Sequence, residues 1–314
     1  MTHAAVPWAP CSDRARERRD PLAGTAPRGI RWLLLEVATG WGPNALLDAP
    51  FDRELGRRLV RRAEAADLRI LAIRRPGRRT PPPVQRWAIL DSRPGLESIA
   101  WGEATDAADL LELPLDGSAG TPSTEPIYAV CAHGRHDRCC AVRGREVAAE
   151  LADARPEQTW ECSHVGGDRF AGTMVVFPHG LYYGYADDGD PVCIADAFDD
   201  GRVVPDRLRG RSSLSHPVQA AQHYARQDLG DDRIVAYPPL EEVATDGGWR
   251  VRLGLGAGAG AGAGAGVDDG IGSDADDAGS IVVDLVEEAS PPLLSTCAAT
   301  RLVQVRQYGL RGIT

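Results

Sequence analysis

One order of elements occurs twice in this chain, and it limits the possible folds more than any other feature. An apolar run suited to a buried strand comes first, then helical spacing, a second apolar run, a hairpin and a short helix. The first pass reads "IRWLLLEV" (30–37), then "FDRELGRRLVRRAEAADL" (51–68) with Leu55, Leu59, Ala63 and Ala66 at helical intervals, then "RILAIRR" (69–75). A hairpin turning at "RPG" lies within 86–104, and "TDAADLLEL" (105–113) opens on a helix-capping threonine, Thr105. The second pass reads "IYAVCAH" (127–133), "VRGREVAAELADA" (142–154), "TWECSHV" (159–165), a hairpin at "PHG" within 172–186, and "CIADAFD" (193–199).

A parallel crossover followed by two antiparallel strands and a closing helix is the minimal order of a thioredoxin-like core. The fold class predicted is therefore α/β of the α+β kind: two thioredoxin-like βαβ-ββα halves, at 28–116 and 126–210. Beyond 211 the texture changes. "SLSHPVQAAQHYARQDLG" (213–230) predicts a helix capped by Ser213 or Ser215. Four strand-like runs follow around the Gly/Ala-rich loop 254–266, which makes 211–314 a helix plus a β-rich extension.

Composition excludes several functions. All 35 basic side chains are arginine, which removes a P-loop lysine, a Schiff-base lysine and a lysine nucleophile. A formal charge of −10 argues against nucleic acid as a general partner, and the arginine runs at 14–19, 57–62 and 74–79 read as solvated faces. No basic-then-apolar leader opens the sequence and no apolar run reaches the roughly 20 residues needed to span a bilayer, so a cytoplasmic protein with no membrane partner is expected.

In a reducing compartment, seven cysteines with four crowded together point to metal or redox chemistry rather than structural disulfides. Cys131 ends the first strand of the second half, and Cys139 and Cys140 open its helix. The spacing is C-x7-C or C-x8-C, so the short C-x-x-C of a dithiol oxidoreductase is missing. Adjacent cysteines point in different directions, so one of Cys139 and Cys140 at most joins Cys131 on one metal. "HVGGD" places His164 and Asp168 at H-x3-D, with Gly166 and Gly167 allowing close backbone approach to a metal or its sulfides. Two thiolates with one or two imidazoles or carboxylates can hold zinc or a [2Fe–2S] cluster. Cys162 alternates with His164 along one predicted strand and would share its face.

"CAHGRHDRCCAVRGREVAAEL" and "WECSHVGGDRFAGTMVVFPHGLYYGY", with "CSDRAR", "PLAGTAP" and "GWGPNAL" before them, resemble the sucrase/ferredoxin-like family of thioredoxin-like [2Fe–2S] ferredoxins, of the actinobacterial type. The resemblance implies an electron-transfer protein with an unidentified redox partner, more an electron carrier than a stand-alone enzyme. It implies a cluster held by C-x8-C and H-x3-H, which carries over to Cys131, Cys140 and His164. The second histidine position holds Asp168, which leaves the fourth ligand open: the Asp168 carboxylate, Cys139 or Cys162, or a member that does not keep its cluster. No sucrase activity is expected, since no carboxylate pair stands out for glycoside hydrolysis.

Two other readings stay beside this one. The first is a thioredoxin-like thiol oxidoreductase using Cys131 with Cys139 or Cys140, and the second a degenerate non-redox member. His133 and His136 are expected in the loop as outer contacts of a site or exposed, and His179 facing solvent. Arg138 and Arg169 are expected to donate to sulfide, to a bound anion or to solvent. Cys11, Cys193 and Cys297 are expected to be structural, and Gly24, Thr25 and Trp41 match the family pattern without an assigned role.

Overall fold

The computed structural model describes residues 10–48, 51–77, 84–256 and 279–314; beyond residue 256 the Gly/Ala-rich run lies outside the described residues. The described chain opens with a helix not foreseen from the sequence, α1 (Cys11–Arg18). Its mostly polar residues give it little amphipathic drive, and ion pairs from Arg16 to Asp187 (2.9 Å) and Asp188 (3.1 Å) hold it in place.

The first half then follows the predicted order: β1 (Arg31–Glu36), α2 (Arg53–Ala65), β2 (Leu68–Arg74), β3 (Gln85–Asp91) and β4 (Ser98–Ala104). The expected helix at 105–113 is a 3-10 turn over Ala107–Leu111, capped by Asp106 rather than Thr105. Asp106 wins because its carboxylate accepts the Ala108 N–H at 2.9 Å. A short edge strand, β5 (Thr121–Ser123), leads to the second half.

That half comprises β6 (Ile127–Cys131), α3 (Arg138–Ala154), β7 (Thr159–Cys162), β8 (Met174–Phe177), β9 (Leu181–Tyr183), α4 (Val192–Asp199) and β10 (Leu208–Arg211). β1 pairs parallel with β2 and antiparallel with β3; β6 pairs parallel with β7 and antiparallel with β8. Both halves thus share one strand order, and β2 meets β7 antiparallel to make a ten-stranded sheet, β10-β9-β8-β6-β7-β2-β1-β3-β4-β5.

Side-chain alternation divides the core. Leu33 and Leu35 of β1 pack with Leu59 and Ala63 of α2, and Tyr128 and Val130 of β6 pack with Val147 and Leu151 of α3. The alternate residues, Trp32 and Leu34 of β1 with Ala129 and Cys131 of β6, enter one shared cluster on the opposite face. β1 and β6 are buried on both faces, as their unbroken apolar runs require.

The helix predicted at 213–230 is α5 (His216–Leu229), with Ser215 as the cap accepting the Val218 N–H. Gln219 bonds its side chain to the backbone of Ala26, Arg211 and Leu214, which ties α5 to the large sheet. Its other apolar residues pack on a four-stranded sheet formed by β11 (Pro239–Thr245), β12 (Gly248–Gly254), β13 (Ser280–Ala289) and β14 (Arg306–Ile313). Among the described residues no helix is long and apolar enough to cross a membrane.

His179 corrects another expectation. It is only partly exposed, packed edge-on against Phe198 at 5.3 Å, and burial with the nearby Arg211 pushes its imidazole down to about 4. Turn position alone does not reveal a neighbour contributed by α4.

The seam between the halves carries a buried ion pair. Arg74 of β2 faces Glu161 of β7 in register, with Nε 2.6 Å from Oε2 and both side chains nearly inaccessible. Replacing Glu161 with alanine removes this buried ion pair, and the variant should lose about 3–5 kcal/mol of stability. A denaturant midpoint within error of wild type would contradict this role for the pair.

Candidate metal centre

The site forms where β6 ends and α3 begins. The Cys131 N–H bonds to Thr173 O (2.9 Å) and the Ala132 N–H to Cys162 O (3.1 Å), which holds the strand end in the sheet. Asp137 caps α3 by accepting the Cys139 N–H at 2.8 Å. A Cβ on Gly144 would come within 1.9 Å of Cys131 O, so only glycine lets α3 lie this close to the strand. That approach brings the Sγ atoms of Cys131 and Cys140 and a ring nitrogen of His164 within 4.8 Å of one another.

His164 lies outside any strand. The sequence predicts a strand to Val165, but β7 stops at Cys162: the Ser163 N–H still bonds Ala72 O of β2 (2.8 Å), while the Ala72 N–H donates to Ser163 Oγ (3.1 Å). The His164 N–H then donates to His133 Nδ1 (3.2 Å), and His133 Nε2 lies 2.7 Å from Gly42 O. These partners assign the tautomer, with Nε2 protonated and Nδ1 accepting. His133 is buried and positions His164, which is the outer-contact alternative of the two expected for it. Trp41 meets its ring edge-on at 5.6 Å.

Gly166 and Gly167 both have positive φ, 98° and 86°. A Cβ on Gly167 would lie 2.4 Å from Arg209 Nη2, so these glycines serve the turn and the approach of Arg209. Arg209 donates to Gly166 O (2.9 Å) and, from two other nitrogens, to Thr25 O (2.6 Å) and Thr25 Oγ1 (3.1 Å). Thr25 and Trp41 thus brace the two histidine-bearing turns.

Asp168 is buried beside this group. Its Oδ1 accepts from Cys140 Sγ (3.2 Å) and lies 2.9 Å from His164 Nδ1. Its other oxygen is 3.7 Å from Nε2 of His136, whose ring stacks on His164 at 3.7 Å between centroids. A second triad of ligand atoms, His136, His164 and Asp168, therefore adjoins the first. Sequence spacing did not single out His136 as a ligand; its place five residues after Cys131 in the loop covering the site was the available signal.

Electrostatics favour a charged thiolate. Cys131 is held well below the usual thiol range by hydrogen bonding from Cys140, against the effect of burial and with help from His164. Cys140 is raised correspondingly. Burial would lower His164, but Asp168 and Cys131 outweigh it and lift the imidazole to about 9. Asp168 is lowered despite its burial because His164 faces it.

Neither alternate cysteine joins this group. Cys139 points to a different cluster with Cys11 and Cys297, and Cys162 lies in the core, where burial raises its thiol. Arg169 is buried with Nε 3.3 Å from Asp20, and Arg138 is exposed at the start of α3.

A family model described as sucrase/ferredoxin-like matches residues 23–210, more than half of the chain. The chain belongs to the sucrase/ferredoxin-like family. No curated protein and no solved structure matches it. In this family member the buried cysteine and aspartate side chains, with the more exposed histidines, can hold a metal ion.

Burial also predicts thiol reactivity. In metal-free protein, native-state alkylation should modify the half-buried Cys193 at least several-fold faster than Cys131, Cys140 or Cys162. Mass spectrometry of the labelled peptides checks this, and equal labelling of Cys131 and Cys193 would contradict it.

Proposed function

We propose that this family member is an electron-transfer protein whose resident group is a [2Fe–2S] cluster at Cys131, Cys140 and His164. The observation that carries the reading is the asymmetry of the donors. Cys131 and Cys140 are each 1% exposed, whereas the side chains of His164 and His136 are 28% and 36% exposed. Buried sulfurs suit permanent ligation, while an exposed imidazole edge suits electron exchange with a docked protein.

The donor set also fits the group. His164 Nδ1 is buried 2.9 Å from Asp168 Oδ1, and two thiol sulfurs with an adjacent imidazole are the donor types that iron–sulfur clusters take. Either Asp168 or His136 completes the set, the first an oxygen donor and the second an imidazole. When bound, the cluster supplies one-electron chemistry. The chain's own residues hold the thiolates away from water, fix the His164 backbone through His133, and leave the imidazole edge open.

A redox partner would meet that edge, where Arg135, Arg138 and Arg145 are exposed on the same loop and helix. A thiol oxidoreductase is supported less well, because disulfide exchange requires an attacking substrate to reach a sulfur and both are buried. A reducing compartment such as the cytoplasm suits seven free thiols.

Protein purified without oxygen should be red-brown, with about two irons and two inorganic sulfides per chain. Cys131→Ser and Cys140→Ser should each abolish the visible absorption. Asp168→Ala and His136→Ala should affect it unequally, the larger loss marking the fourth ligand. A colourless, iron-free wild type after anaerobic reconstitution with iron and sulfide would overturn the reading.

A further inference from the structure

Three cysteines far apart in sequence converge beside, but not in, the site described above. Cys11 opens α1, Cys139 lies in the first turn of α3, and Cys297 lies between β13 and β14. Cys139 Sγ is 3.1 Å from Cys297 Sγ, which is 3.5 Å from Cys11 Sγ. Cys11 Sγ in turn lies 3.8 and 3.9 Å from the two carboxylate oxygens of Asp137. All four ligand atoms fall within 4.8 Å of one another.

We infer that Cys11, Cys139, Cys297 and Asp137 form a second metal site, separate from the first, that binds one zinc ion. Zinc bound to thiolates at about 2.3 Å in a tetrahedron separates its sulfurs by about 3.8 Å. The observed spacings need only a slight opening to meet that value. Three soft thiolates with one carboxylate select zinc over magnesium or calcium, which prefer all-oxygen shells.

The surroundings suit a closed structural site. Cys11, Cys139 and Asp137 are buried, and Cys297 is partly so. The Cys139 N–H fixes Asp137 Oδ1 at 2.8 Å and the Cys297 N–H fixes Oδ2 at 2.7 Å, so the carboxylate is oriented before any ion arrives. Cys139 and Cys140, neighbours on α3, serve different clusters. The ion would join α1, the segment between β13 and β14 and the helix that carries Cys140, with Cys11 and Cys297 lying 286 positions apart in the chain.

Metal analysis of the full chain, purified without oxygen or chelator, tests this directly. It should find about one zinc per chain in wild type and in the Cys131→Ser/Cys140→Ser double variant, so the count does not depend on the iron reading. Cys11→Ser and Cys297→Ser should each cut the zinc at least tenfold, with far-UV circular dichroism unchanged. Cobalt(II) loaded into metal-free double variant should give the intense thiolate-to-metal absorption and visible bands of a tetrahedral, thiolate-rich site. That readout substitutes none of the four zinc ligands, and far-UV circular dichroism of the double variant checks that it is folded. A double variant that neither retains zinc nor develops those bands would overturn the proposal. So would an unchanged zinc content in Cys297→Ser, or a Cys139–Cys297 disulfide in the anaerobic wild type.

Discussion

The antiparallel contact of β2 with β7 is the interaction on which the rest of the structure depends. Only two residue pairs are in register there, Ile73 with Cys162 and Arg74 with Glu161. Through Arg74 the contact reaches the metal-binding region. Its guanidinium pairs with Glu161, donates to Thr39 O and lies 3.9 Å over the ring of Trp41. Trp41 in turn abuts His133, whose ring accepts the His164 N–H. The first half thereby positions a candidate ligand of the second half.

This arrangement gives the duplicated strand order a purpose. The first half, 28–116, contains no cysteine. What it supplies is a sheet edge and the loop carrying Trp41 and Gly42, which close over His133. At the end of β7 the Ala72 N–H of β2 donates to Ser163 Oγ. The chain then turns away at His164, and the histidine reaches the sulfurs instead of lying on the sheet. From the other side, Arg209 and Thr25 hold the glycine turn that returns the chain at Asp168.

Much of this was legible in the sequence because it is local. Buried strands read as continuous apolar runs, α2 and α3 read by their spacing, and Cys131, Cys140, His164 and Asp168 lie within one crossover and the turn after it. What was not legible depends on contacts between distant segments. His133 looks like a loop residue until Gly42 and Trp41 arrive from the other half. Cys11 and Cys297 look isolated until the fold brings both chain ends to α3. α1 has a weak apolar pattern and depends on Asp187 and Asp188 more than 150 residues away. In the sequence Gly166 and Gly167 suggest close backbone approach to a metal, but in the fold their space is taken by Pro27 and Arg209.

The central claim is that buried sulfurs and a surface imidazole hold one redox group between them. Pulsed electron paramagnetic resonance of the dithionite-reduced protein tests it most directly, with histidine labelled by nitrogen-15. The account predicts a spin-one-half signal coupled strongly to at least one imidazole nitrogen, with the share of that coupling due to His164 lost in His164→Ala. A reduced protein with no such signal, or a signal lacking histidine nitrogen coupling, would contradict it.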